Sequence, residues 1–101
     1  IVGISEMITP TISNSTYSGS IKPNVYYKIH GVKSATITLA TPTNTSCFNH
    51  YMFEIKFSGG STLSLPTGLT WANGDNISDY LETGRTFQIS IINNLAVFTK
   101  F

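Results

Sequence analysis

Apolar and polar residues alternate with a period of two along most of this chain, and each such run predicts a β-strand with one face turned inward. Val25, Tyr27 and Ile29 alternate with Tyr26, Lys28 and His30, and Ala35, Ile37 and Leu39 with Thr36, Thr38 and Ala40. The strongest alternation sets Tyr51, Phe53, Ile55 and Phe57 against Met52, Glu54, Lys56 and Ser58. Full burial of each large apolar group is worth about 1.5–3 kcal/mol, so this strand is expected to anchor the core. Leu63 and Leu65 resume the pattern, Leu69 and Trp71 extend a short strand, and Phe87, Ile89 and Ile91 alternate with Gln88 and Ser90.

Turn residues cut these runs into elements. Asn93-Asn94 tolerates the positive φ of a tight two-residue turn, so the segment from Arg85 to Phe101 predicts a closing hairpin. Gly31 and Lys33 bracket a predicted turn joining a second hairpin, and Gly59-Gly60 predicts another. Pro42 to Asn49 reads as a loop, Pro66 belongs at a strand end or sheet edge, and Ala72-Asn-Gly-Asp75 is a turn signal. Asp79 to Gly84 is the one stretch expected to hold a helical turn. Residues 1–20 read as a lead-in strand or linker from a longer polypeptide, and 21–101 as the domain. The fold class expected is all-β: a compact antiparallel β-sandwich or jelly-roll-like domain of about seven or eight short strands.

Composition narrows the function classes. With 101 residues the chain has room for one core and no separate catalytic domain. Asp, Glu, Lys and Arg make up only 11% of it, against roughly 25% in an average soluble domain, so hydroxyl and amide groups must cover its solvent faces. A net charge of +1 gives no basic footprint for nucleic acid. Cys47 is the single cysteine, which excludes an intrachain disulfide and a thiolate cluster. No apolar run approaches a membrane span, and the N-terminus lacks the pattern of a signal peptide. The chain opens on Ile1, as expected of a processed product or a piece of a longer polypeptide.

Few residues offer chemistry. Cys47 and His50 are three apart, a spacing that nucleophilic catalysis could use only with an oxyanion donor nearby; a lone cysteine is more often a small buried apolar group. Asp75, Asp79 and Glu82 match no EF-hand spacing and read as a solvated loop face, so no metal or other cofactor is expected. Trp71, Asn73, Asp75 and Tyr80 lie close in sequence and form the candidate glycan site, an aromatic platform beside amide and carboxylate groups. The plainer reading, which is favoured, has Trp71 closing one end of the sandwich. Tyr26, Lys28 and His30, opposite the inward face of their strand, are the candidate subunit interface. Asn-x-Ser/Thr sequences at Asn14, Asn44 and Asn76 are expected by chance in a chain this rich in Ser, Thr and Asn.

An ordered series of short motifs carries a resemblance: Lys22-Pro-Asn-Val-Tyr-Tyr27, Ala35-Thr-Ile-Thr-Leu39, Tyr51-Met-Phe-Glu-Ile-Lys-Phe57, Thr62-Leu-Ser-Leu-Pro66, Trp71-Ala-Asn-Gly74 and Phe87-Gln-Ile-Ser-Ile-Ile-Asn-Asn-Leu-Ala96. Over residues 21–101 the chain resembles a small β-sandwich module found at the C-terminal end of bacteriophage tail, baseplate and fibre proteins from phages of gut bacteria. It departs from that pattern in a longer Asp75 to Gly84 segment. The resemblance implies a non-enzymatic virion structural protein, made in the bacterial host cytoplasm and carried on the extracellular particle. It further implies a homotrimer in a tail fibre or appendage that packs against other virion proteins, with possible host attachment through a bacterial surface glycan. A lectin-like glycan-binding module is the alternative.

Overall fold

The computed structural model describes residues 6–41, 49–74 and 76–100. Among these residues seven strands form one hydrogen-bonded sheet: β1 (Glu6–Ile8), β2 (Thr16–Ile21), β3 (Val25–Leu39), β4 (His50–Ser64), β5 (Thr70–Trp71), β6 (Thr86–Ile92) and β7 (Leu95–Lys100). The path across it runs β1-β3-β4-β6-β7-β5, with β2 beside the second half of β3 on the same side as β1. The domain is all-β, as the alternation predicts.

The pairing corrects the antiparallel expectation. β4 with β6 and β6 with β7 are antiparallel, but β1 and β2 with β3, β3 with β4, and β5 with β7 are parallel. Two predicted turns are also corrected. The chain does not reverse at Gly31–Lys33 or at Gly59-Gly60; it runs straight through both, so β3 and β4 are 15 residues each and lie side by side. Both glycines hold positive φ, +79° at Gly31 and +80° at Gly59, a conformation that costs other residues strain. Here each serves a separate irregularity in the β3–β4 register: Gly31 falls where β3 advances two residues, His30 to Val32, against one of β4, and Gly59 falls in the next. From the pair Val32 and Phe57 to the pair Ser34 and Thr62, β3 advances two residues while β4 advances five.

These bulges fold the sheet over on itself. A straight 15-residue strand spans about 50 Å, yet the longest dimension of the domain is 41 Å. Tyr51 lies in register with the start of β3, and its hydroxyl donates to the carbonyl of Ala40 just past the end of β3, at 2.6 Å. Likewise the amide of Lys22, after β2, donates to the hydroxyl of Tyr27 at 2.9 Å. Two layers result. The larger contains β1, the first halves of β3 and β4, β6, β7 and β5; the smaller contains β2 and the second halves of β3 and β4. The sandwich expected from sequence is thus a single sheet bent double.

The core lies between the layers. Phe53, Ile55, Phe57, Phe87, Ile89, Ile29, Val32 and Ile21 are fully buried, joined by Val25, Tyr27, Tyr51, Ala35, Ile37, Ile91, Ala96 and Ile77. Phe57 and Phe87 meet edge to face at 6.3 Å. Inward parity along β3 runs Val25, Tyr27 and Ile29, shifts by one at Val32 and is restored at Ala35 and Ile37, with a register irregularity against β4 on each side of Val32. The final hairpin turns on Asn93 and Asn94 at φ 51° and 64°, as expected. Residues 6–8 and 16–21 of the N-terminal stretch join the sheet as strands. The helical turns fall at Ala72–Gly74 and Ile77–Asp79 rather than from Asp79 to Gly84: Asn76 caps the second, accepting from the backbone amide of Ser78 at 2.9 Å, and Ile77 is drawn into the core.

Candidate functional site

The outer face of the larger layer carries the candidate interface residues. Strand register aligns Met7, Tyr26, Met52, Ser90 and Val97 in one row, Lys28, Glu54, Gln88 and Thr99 in a second, and His50, Ile92 and Leu95 in a third. Glu54 organises the polar part. The Tyr26 hydroxyl donates to Oε1 at 2.6 Å, the His30 ring meets Oε2 at 2.5 Å, and the Gln88 amide donates to the Tyr26 hydroxyl at 3.0 Å. Burial works to raise the Glu54 pKa, but the bonds from Tyr26 and His30 and the charge of Lys28 outweigh it and hold the carboxyl below its ordinary value. Burial, with the bond to Glu54, pushes the Tyr26 phenol up.

The apolar part is equally ordered. Among the described residues five large hydrophobic side chains are exposed, and four of them, Met7, Ile92, Leu95 and Val97, share this face. Sequence reasoning selected Tyr26, Lys28 and His30 but passed over Glu54, Gln88 and these apolar positions. The signal was present: Leu95 and Val97 alternate with Ala96 and Phe98, so β7 is apolar on both faces.

Of the candidate glycan residues, Trp71 and Tyr80 lie at the β5–β7 edge. Trp71 is half-buried and packs edge to face on Phe98 at 5.8 Å; Tyr80, exposed, tilts against the same ring at 5.4 Å. Phe98 therefore brings Trp71 and Tyr80 together. Asn73 sits in the first helical turn, and Asp75 lies outside the described residues. A cleft of about 410 Å³ opens beside Trp71, walled by Leu63, Leu65, Leu69 and Ile77, with Thr67, Asn76 and Ser78 at its mouth. A second, of about 400 Å³, lies near the other end of β4 between Tyr51, Ile91, Asn49, Asn93 and Asn94.

Cys47 lies outside the described residues; His50 instead shares a hydrogen bond between its Nε2 and the Ser90 hydroxyl across β4 and β6. The His50 amide is itself taken up, donating to Asn24 Oδ1 at 3.2 Å. Glu82 pairs with Lys100 at 3.1 Å and Asp79 lies in a helical turn. Among the described residues no three His, Cys, Asp or Glu side chains converge as a metal site, and no helix is long and apolar enough to cross a membrane. Comparison of the chain with protein-family models, with curated proteins and with solved structures found no match.

Proposed function

We propose that this chain is a non-enzymatic structural module of a bacteriophage virion, placed in a fibre or tail appendage, that assembles as a homotrimer through the outer face of its larger layer. One observation carries the assembly reading: among the described residues, four of the five exposed large hydrophobic side chains lie on that face, with Tyr26, Lys28 and His30. Association removes such apolar area from water, at about 25 cal/mol per Å² before the costs of ordering. The polar half of the face suits burial, since each Glu54 oxygen already has a partner. The virion setting rests on the motif series between Lys22 and Ala96.

Light scattering over a concentration series tests this. The expected result is a trimer that Val97→Glu converts to a monomer whose circular dichroism is unchanged. A chain that stays monomeric at every concentration overturns the assembly reading. The second reading, a glycan-binding module, is favoured by the cleft beside Trp71.

A further inference from the structure

The cleft beside Trp71 differs in chemistry from both outer faces. Its wall is apolar and aromatic, from Leu63, Leu65, Leu69, Trp71 and Ile77, and its mouth is polar, from Thr67, Asn76 and Ser78. None of its lining residues is ionisable. Its volume of about 410 Å³ falls in the ~300–1,000 Å³ range of small-molecule sites.

The polar groups are set before any ligand arrives. Asn76 Oδ1 accepts from the Ser78 amide and from the Ser78 hydroxyl, each at 2.9 Å. That cap fixes the carboxamide plane, while its amide nitrogen, which the cap does not use, carries two donors. Ser78 spends its hydroxyl proton on Asn76, so its oxygen presents lone pairs. The contact with Phe98 holds Trp71 without help from a ligand, and burial of Ile77 fixes the turn that bears Asn76 and Ser78. Preorganisation of this kind lowers the ordering cost of binding.

We propose that this cleft binds a neutral sugar residue, one C–H face of the ring against Trp71 and the leucine wall and its hydroxyls on Asn76, Ser78 and Thr67. A wholly apolar ligand would make no use of the polar mouth, whose residues are exposed, and a charged one would find no countercharge among the lining residues. The site moves the sugar-binding candidate away from Tyr80, which packs on Phe98 and does not line the cleft. It stands apart from the assembly reading, since a monomer that binds sugar overturns that reading and leaves this one intact.

Trp71 is the only tryptophan in the chain, so its fluorescence reports on the cleft. The 101-residue chain is titrated with glucose, galactose, mannose and N-acetylglucosamine, with glucuronic acid as the charged counterpart. Amide chemical shifts of residues 63–78 are followed in parallel. The expected result is a saturable response to at least one neutral sugar with Kd near 1 mM, about −4 kcal/mol. Thr67→Phe, a substitution at an exposed position of the mouth, abolishes it with circular dichroism unchanged. The proposal is overturned if no neutral sugar moves either signal, if glucuronic acid binds as well as the neutral sugars, or if Thr67→Phe leaves binding intact.

Discussion

The two outer faces of the bent sheet share β3 and β4 and yet differ throughout in chemistry. On the smaller layer, register aligns Thr16, Ser34 and Thr62 in one row, Ser18, Thr36 and Ser64 in the next, and Ser20 with Thr38 in a third. Every outward side chain in those rows is a hydroxyl, and Ser20 and Thr38 bond to each other at 2.7 Å. On the larger layer the outward rows mix Met7, Tyr26, Met52, Val97, Ile92 and Leu95 with Lys28, His30, His50, Glu54, Gln88, Ser90 and Thr99. The sheet thus presents a hydroxyl face in one half and, in the other, hydrogen-bonded polar residues on β3 and β4 flanked by exposed apolar ones on β1, β6 and β7. Inward alternation alone would be served equally well by hydroxyls on both sides, so the apolar outer face calls for an explanation that folding of one chain does not supply.

The largest test of this contrast is a control on what the faces share. Phe53→Ala removes a fully buried side chain from the common core and should destabilise the whole domain by about 3–5 kcal/mol in urea titration, with both layers melting together. Next, Leu95→Ser with Val97→Thr makes the larger face resemble the smaller; light scattering should show the proposed trimer lost and the monomer folded. A smaller effect is expected at the bend, where Gly31→Ala places a Cβ at φ +79° and should cost about 1–2 kcal/mol. Nothing lies within 4 Å of that added carbon, so backbone strain alone sets the loss.

Glu54 gives a pH signature to the larger face. Its folded-state pKa lies below the ordinary value, so its stabilisation is present above the ordinary carboxylate range and is lost as pH falls through the lowered value. Acid titration of stability should therefore lose part of its steepness in Glu54→Gln. The least effect belongs to the smaller face: Thr36→Ala should shift stability by no more than about 0.5 kcal/mol and leave the oligomeric state alone.

Much of the core was legible because period-two alternation needs no knowledge of partners. Phe53, Ile55, Phe57, Phe87, Ile89 and Ile91 are inward in the sequence and buried in the fold. The Asn93-Asn94 turn was equally legible, since its positive φ values are a local requirement. Gly31 and Gly59-Gly60 misled because a glycine signals positive φ without saying what it serves. A reversal and a bulge both use it, and only the neighbouring strand decides between them. Of the candidate sites, Tyr26 and His30 were found by parity, but the carboxylate that joins them comes from Glu54 on another strand. Trp71 and Tyr80 were read as one cluster from their nearness in the chain, and Phe98, the ring that holds both, lies on β7.

The sequence by itself determined the all-β class, most of the inward residues of β3, β4 and β6, and the closing hairpin, because these depend on local φ preference and on a repeat of two along one strand. Tertiary structure decided that β3 and β4 run parallel, that their bulges fold one sheet into two layers, and that Leu63, Trp71, Asn76 and Ser78 wall one cleft. Those outcomes depend on which strand lies beside which, and pairing between distant segments leaves no periodic mark on either one.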